Sequence, residues 1–235
     1  TLPKNMENLK EMADLEIRFT KLKSFNVDVK KWTRLVRLLL MHNNIGEYNQ
    51  NAIWSHENLV SMDLRNNIGL SMPKNEMVNN MPALRYLNVG NNSINVHNDF
   101  SRERFPSLLY LYLNGNNLTK FPHESLRKSV IYLGISRCNL RTLPNYLSTF
   151  DRLQYLDARN NSISTINEEL LKLIDRNKME HYFAGNPIVC GKHKELDCEP
   201  LCSSYCWSRN SGNDGYCDPE CNSKECKFDG GQCIK

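Results

Sequence analysis

The sequence predicts an α/β-type solenoid, a curved horseshoe with short parallel strands on its concave face, followed by a small cysteine-rich module with little secondary structure. Three observations predict it. An apolar pattern L-x-x-L-x-L-x-x-N-x-L recurs with first positions at Leu35, Leu59, Leu84, Leu108, Val130 and Leu153, at steps of 24, 25, 24, 22 and 23 residues. An asparagine or cysteine holds one fixed place in every copy: Asn43, Asn67, Asn92, Asn116, Cys138 and Asn161. Eight of the nine cysteines crowd between Cys190 and Cys233. The 235 residues suffice for one or two domains, and the boundaries read as 1–200 for the repeats with their cap and 201–235 for the tail.

Leu108–Pro122 is the clearest copy, with apolar residues at Leu108, Leu111, Leu113, Leu118 and Phe121. Its first half alternates as a strand does, and Asn116 follows where the chain must turn. So short a strand cannot bury its apolar face alone, so like neighbours must stack on both sides. Leu111 and Leu113, at positions 4 and 6 of the unit, are expected to point inward. The fixed asparagine turns inward too, where its amide can pair backbone groups freed at the bend. Cys138 in that place reads as a small buried residue with a weak donor rather than a reactive thiol.

A degenerate copy, Met12, Leu15, Ile17, Leu22 and Phe25, starts 23 residues before Leu35 and has Thr20 at the asparagine place. Thr1–Glu11 reads as the tail of an earlier coil or a partial cap. Pro122 and Pro144 follow apolar residues in matching places and fix the turn away from the strand. Glu168–Arg176 has helical spacing and predicts a short convex helix. Past Leu153 the pattern frays: Met179, Tyr182 and Ala184 stand at strand positions before Gly185-Asn186-Pro187 breaks away. The count is therefore about seven coils plus a cap from about residue 179.

The period and the L-x-x-L-x-L-x-x-N/C-x-L pattern resemble the leucine-rich-repeat family, whose unit is about 20–29 residues long. That resemblance implies a recognition surface on the concave sheet. In extracellular members a G-N-P-x-x-C run commonly opens the C-terminal cap, which implies a bridge between Cys190 and Cys198.

The remaining cysteines, Cys202, Cys206, Cys217, Cys221, Cys226 and Cys233, are spaced C-x3-C-x10-C-x3-C-x4-C-x6-C. A dense, even set in a glycine-rich tail argues for disulfides and an oxidising compartment. Zinc is the competing reading, but paired C-x2-C knuckles are absent and the loops are long. Spacing alone leaves fifteen pairings open. With NDGYCDPECN and CNSKECKFDGGQC the tail closely resembles the Notch-type LNR repeat, a small extracellular module stabilised by disulfides and calcium. The resemblance implies Cys202–Cys226, Cys206–Cys221 and Cys217–Cys233. It also implies Ca2+ held by Asp214 and Asp229, with Gln232 where the family normally has an acid. Glutamine still offers a neutral carbonyl oxygen, so calcium binding is expected to be weakened rather than abolished. The competing reading makes Asp214 and Asp229 simple turn residues beside Gly215 and Gly230.

Composition excludes several classes. A net charge of +4 is too small to argue for nucleic acid, and it divides into 24 basic and 18 acidic residues before Cys190 and 6 and 8 from there on. No apolar run of about 18 residues could span a bilayer. The six histidines are scattered, and no nucleophile elbow, phosphate loop or dinucleotide fingerprint occurs, so an enzyme is not expected.

The outward positions of the strands nominate a ligand surface. Position 3 reads Asp14, Arg37, Ser61, Tyr86, Tyr110, Tyr132 and Tyr155; position 5 adds Asn88, Tyr112, Gly134 and Asp157. Position 7 adds Asn114 and Arg159, and position 8 adds Arg137. Tyrosine joins apolar area to a polar handle and is enriched at interfaces, although rings can also simply cover a sheet. The expectation is a protein or glycan ligand on the C-terminal half of the concave face, in a secreted protein or a receptor ectodomain. A structural adhesion or matrix role, and regulation of proteolysis through the LNR module, are the alternatives. Three N-x-S/T sequons begin at Asn91, Asn117 and Asn160, each next to a fixed asparagine, and each acceptor is expected to face solvent.

Overall fold

The computed structural model describes residues 2–3, 5–67, 69–70, 80–94, 100–118 and 121–187, with Leu196 and Lys224. In chain order its strands are β1 (Asp14–Glu16), β2 (Ser24–Phe25), β3 (Arg37–Leu39), β4 (Glu47–Tyr48), β5 (Ser61–Asp63), β6 (Tyr86–Asn88), β7 (Tyr110–Tyr112), β8 (Tyr132–Gly134), β9 (Tyr155–Asp157) and β10 (Glu180–Tyr182). Eight of them form one open, wholly parallel sheet in the order β1-β3-β5-β6-β7-β8-β9-β10. The register steps by one repeat unit each time: Asp14, Arg37, Ser61, Tyr86, Tyr110, Tyr132, Tyr155 and Glu180 are partners in line. This is the alignment the repeat spacing predicts. The sheet runs one strand further than the sequence indicates, because the segment read as the start of the cap opens with β10.

The core lies directly behind the sheet. Position 4 of successive coils supplies Leu38, Met62, Leu87, Leu111, Leu133 and Leu156, all buried. On the far side the chain returns through short pieces. These are the β2–β4 pair, α1 (Gln50–Ile53), 3-10 turns at Val29–Lys31, Glu124–Lys128 and Asn145–Thr149, and α2 (Glu168–Asn177). The helix predicted from Glu168 forms because its apolar residues Leu170, Leu173 and Ile174 share one buried face. Its N-terminus is capped by the Asn167 side chain, which accepts from the Leu170 amide at 2.7 Å.

Three residues before position 1, five coils bury one large residue each: Trp32, His56, Met81, Phe105 and Phe150. His56 is the polar member of that column. Its ring Nε2 lies 3.2 Å from the Trp32 carbonyl, while Nδ1 is buried without a partner. Burial pushes its pKa down.

The fixed asparagines form a hydrogen-bonded ladder. Asn116 donates to the carbonyls of Leu113 in its own coil (2.8 Å) and Val89 in the preceding one (2.9 Å), and accepts from the Ile94 amide (3.1 Å). Asn67 and Asn161 repeat this: Asn67 donates to Leu64 and Leu40, and Asn161 to Ala158 and Ile135. Cys138 takes the rung between Asn116 and Asn161, with Sγ 3.3 Å from the Leu113 carbonyl, and burial pushes its thiol up to about 12. It is the inert filler that the sequence suggests. Asn186, placed by the sequence in the segment that breaks away, is a seventh rung, donating to Ala158 (2.9 Å) and Phe183 (2.8 Å).

Position 8 of each coil turns through left-handed backbone. The residues are Phe19, His42, Asn66, Asn91, Gly115, Arg137, Asn160 and Gly185, with φ between 51° and 76°. Glycine is required at two of them by approach as well as by φ. A Cβ on Gly115 would stand 1.9 Å from Asn91 Oδ1, and one on Gly185 would stand 2.3 Å from Asn160 Oδ1.

Candidate functional site

The concave sheet carries the nominated residues, and the structure sorts them. The rings of Tyr86, Tyr112, Tyr132, Tyr155 and Tyr182 form a continuous stack across β6 to β10. Successive centroids are 5.2, 4.4, 4.1 and 5.2 Å apart; Tyr132 and Tyr155 are almost parallel at 10°, and the other pairs are tilted by 32–44°. The stack therefore shifts from position 3 to position 5 and back, rather than following one position. At position 5 of the next coil Gly134 makes room for the Asn114 amide, which lies 2.8–2.9 Å from where a Cβ would be, and whose Oδ1 accepts from the Ser136 amide at 3.0 Å. Tyr110 flanks the stack, 6.4 Å from Tyr86 and 6.3 Å from Tyr132, and is the most exposed of the field at 37%.

Burial raises the phenol pKa values of Tyr86, Tyr132 and Tyr155, and pushes Tyr112 up to about 12. A hydrogen bond between the Tyr132 and Tyr155 hydroxyls adds to the rise at Tyr132. Those four phenols are held in their neutral form, as hydroxyl donors and acceptors on an apolar base.

Two short polar residues nominated as ligand contacts turn out to be supports. Asn88 is buried, and its Oδ1 accepts from the Gly90 amide at 3.0 Å while its Nδ2 reaches the Tyr86 hydroxyl at 3.4 Å. Asp157 is buried too, and accepts from the Arg159 amide at 3.2 Å. A short polar side chain at position 5 thus folds back on the amide at position 7, a local turn that sequence spacing alone does not reveal. The Asp157 carboxylate also takes Arg159 in a two-point grip, Nε to Oδ1 and Nη2 to Oδ2, both 2.9 Å. That hydrogen bond raises the Arg159 pKa, and its guanidinium sits 5.2 Å over the Tyr182 ring. Arg137 is exposed at the rim in left-handed backbone.

Three residues escaped the sequence reading. Tyr182 ends the ring stack and stands 25 residues after Asp157; the repeat period was signal enough to find it. Asp63 and Arg65 repeat the Asp157–Arg159 arrangement at the other end of the field, with the Arg65 amide donating to Asp63 Oδ1 at 3.1 Å. There the pair is looser: Arg65 Nε is 3.6 Å from Asp63 Oδ2 and, although buried, has no hydrogen-bond partner among the described residues. Burial raises the Asp63 pKa, with Arg65 opposing.

Coils 1 and 2 present a different surface. Asp14 pairs with Arg37 and Glu16 with Arg18, each at 2.9 Å and well exposed. Phe19, 68% exposed, stacks on His42 at 4.5 Å along the rim.

Of the sequon asparagines, Asn91 and Asn117 are exposed. Asn160 departs from the expectation of three solvent-facing acceptors. It is half-buried, its Oδ1 lies over the space left by Gly185, and its Nδ2 is buried with no hydrogen-bond partner among the described residues. Asp214, Asp229 and Gln232, and all eight cysteines from Cys190 to Cys233, lie outside the described residues. Among the described residues no three His, Cys, Asp or Glu side chains group to hold a metal ion, and no helix is long and apolar enough to cross a membrane.

Comparisons with known proteins agree with this architecture. Leucine-rich-repeat family models match residues 57–118 and 152–173, and the model for the LNR domain of Notch matches residues 197–234. No curated protein sequence matches the chain. Among solved structures, a leucine-rich-repeat protein of Leptospira interrogans superposes with a TM-score of 0.69 at 26% identity, covering 83% of this chain and 48% of its own. The functional domain of InlJ from Listeria monocytogenes, which includes a cysteine ladder, gives 0.60 at 18% identity, covering 83% of this chain and 41% of its own. Internalin C2 of the same species gives 0.55 at 15%, covering 81% of each. The chain thus spans under half the length of the first two.

Proposed function

This chain is a leucine-rich-repeat protein with a C-terminal LNR module, and we propose that it works outside the cell, secreted or as a receptor ectodomain, taking a protein partner on the tyrosine field of its concave face. The observation that carries this reading is the ring stack from Tyr86 to Tyr182. Because the rings lie against one another, their faces are used up, and the field offers edges and hydroxyls. A sugar ring binds an aromatic by lying flat on an open face, so the stack favours polypeptide over glycan. Tyr110 and the Arg65 guanidinium supply the contacts at its margins. A carboxylate from the partner would pair the accessible end of the Arg65 side chain, 41% exposed and held only loosely by Asp63 at 3.6 Å.

The test is affinity capture from a secreted-protein fraction, with Tyr110→Ala and Arg65→Glu as variants of the oxidised chain. The reading expects one partner to be lost by both variants, with Tyr110→Ala melting within about 0.5 kcal/mol of the parent, as exposed substitutions do, and circular dichroism showing that Arg65→Glu, set beside the buried Asp63, remains folded. Retention of that partner by both variants, or selective capture of glycans instead, refutes it.

We further propose that the tail takes up Ca2+ through Asp214, Asp229 and Gln232. Two carboxylates and an amide carbonyl form an all-oxygen donor set of the kind calcium prefers. So small a module has little core of its own, and an ion with three disulfides compensates for that. Native mass spectrometry of the oxidised chain, with and without chelator, is the check, and absence of a calcium adduct at millimolar calcium rejects it.

A further inference from the structure

We propose that Asn91 carries an N-linked glycan, at the turn where the chain leaves β6 and so at the rim of the tyrosine field. This rests on the extracellular reading above, since the modification occurs only along the secretory route. The three sequons, Asn91-Asn92-Ser93, Asn117-Leu118-Thr119 and Asn160-Asn161-Ser162, carry the same sequence signal. The fold separates them by the surroundings of the acceptor amide. Asn160 is half-buried with its Nδ2 sealed, and Thr119, which completes the second sequon, lies outside the described residues. In the first sequon Asn91 and Ser93 are both exposed, and Asn92 between them is buried.

Asn92 is the ladder residue of its coil. Its side chain donates to the carbonyls of Val89 (2.9 Å) and Leu64 (3.1 Å), and it accepts from the Asn67 amide at 2.9 Å. Those bonds tie this segment to the coil before it. The backbone amide of Asn91 ties it to the coil after, donating to the Asn114 carbonyl at 2.7 Å. With the backbone held on both sides, the alternation along the sequon is fixed. The middle residue faces the core, and the two residues that the modification uses face solvent.

The neighbours of Asn91 at position 8 orient its side chain. Oδ1 lies over Gly115 of the next coil, 1.9 Å from where a Cβ would stand. Asn66, at the same position of the preceding coil, leans the other way, with its Nδ2 3.2 Å from the ring nitrogens of His42. The two side chains thus part. The Asn91 nitrogen is the branch of the amide turned from Gly115, and among the described residues it donates no hydrogen bond. Asn160 leans over Gly185 in the same way, so the lean alone does not make an acceptor; the exposure of Asn91 does. A sugar on Nδ2 replaces one amide proton and keeps the oxygen over Gly115, so the coil loses no contact. A lipid-linked oligosaccharide diphosphate is the co-reactant. The amide nitrogen of Asn91 bonds to C1 of the first sugar, the C1–O bond to the diphosphate breaks, and the lipid diphosphate leaves with the amide proton.

The experiment uses the full chain, led into the secretory pathway of a eukaryotic cell by an added signal peptide. Intact mass is measured on the folded, secreted fraction before and after enzymatic glycan removal, for the parent, Asn91→Gln and Ser93→Ala. Each variant is expected to lose the mass of one glycan. Ser93→Ala leaves the Asn91 amide over Gly115, so the test stands even where Asn91→Gln is not secreted. The enzyme that removes the glycan converts the acceptor asparagine to aspartate, and peptide mapping of the parent should place that change at residue 91. A parent without that change, or a glycan mass that either variant retains in full, overturns the proposal. Neither outcome touches the concave-face reading, because no residue of the tyrosine field is altered and the added signal makes the test independent of where the protein normally resides.

Discussion

The two halves of the concave sheet share a scaffold and differ in surface. From β6 onward the outward side chains include tyrosine rings packed on one another, most of them half-buried, with Tyr110 exposed beside them. From β1 to β3 they are exposed ion pairs, Asp14 with Arg37 and Glu16 with Arg18. Exposed pairs are worth about 0–1 kcal/mol and weaken with salt. Stacked aromatics add about 0.5–1.5 kcal/mol per pair beyond the area they bury. The C-terminal half is thus a surface that also holds itself rigid, which lowers the entropy a partner must supply on binding. The N-terminal half is held only from behind. The lesson is that a repeat fixes the scaffold at every coil and leaves the outward positions free to differ.

The largest expected effect tests whether the scaffold is shared. Asn116→Ala removes two donated bonds and one accepted bond and strands buried backbone groups in two coils. A loss of about 3 kcal/mol follows, at about 1–3 kcal/mol for each unpaired group offset by relaxation. Both halves should melt together, read by circular dichroism and tyrosine fluorescence in one transition. Two separate transitions would mean the halves are independent units. Gly115→Ala comes next, at about 1–2 kcal/mol for the left-handed backbone alone, and more from the contact with Asn91. Chemical denaturation of that variant beside Gly134→Ala separates the cost of φ from the cost of crowding.

Sharpening the contrast itself requires one substitution in each half. Tyr132→Ala opens the middle of the ring stack and should cost about 2 kcal/mol, whereas Arg37→Ala should cost less than about 0.5 kcal/mol. Equal costs by urea denaturation would mean that the stack contributes no more than the ion pairs.

The next expectation concerns pH and belongs to the N-terminal half. The pKa of His56 is depressed in the folded state by burial. Above the ordinary histidine value both states are neutral there and the contribution is constant. As pH falls below about 6.5 the unfolded chain takes up the proton first. Stability therefore declines between that pH and the lower folded value. The melting temperature of the parent should drop on that limb, and His56→Phe, which matches the aromatic members of its column, should flatten it. An unaltered slope in the variant would assign the drift to other groups. The smallest effect is from salt: raising ionic strength should shift Arg37→Ala and the parent toward each other by only a few tenths of a kcal/mol.

Much of this was legible in the sequence. The strand register, the inward leucines, six ladder rungs and the tyrosine positions follow from spacing alone, because a solenoid repeats its geometry wherever it repeats its pattern. What escaped has local causes. The eighth coil starts on Lys178 instead of leucine, so Asn186 and Tyr182 looked like the beginning of the cap, although both keep the period. Asn88 and Asp157 occupy outward positions yet bond back to their own turns, a choice made by hydrogen-bonding reach rather than by pattern. Asn160 matched a modification signal, but its Nδ2 is buried, of which the sequence carries no sign. His56 gave no sign of burial until the column of Trp32, Met81, Phe105 and Phe150 was seen to pass through its place.

The asparagine ladder also gives the molecule a mechanical character. Every described rung with an amide bonds its own coil to the one before it, so load applied at the two ends is carried by rungs in series, one coil boundary at a time. A chain pulled along its axis should lengthen in steps of one repeat, about 24 residues, rather than rupture in a single event. Cys138 marks the one interior boundary held by a thiol instead of an amide, and it is there that such a spring should give first.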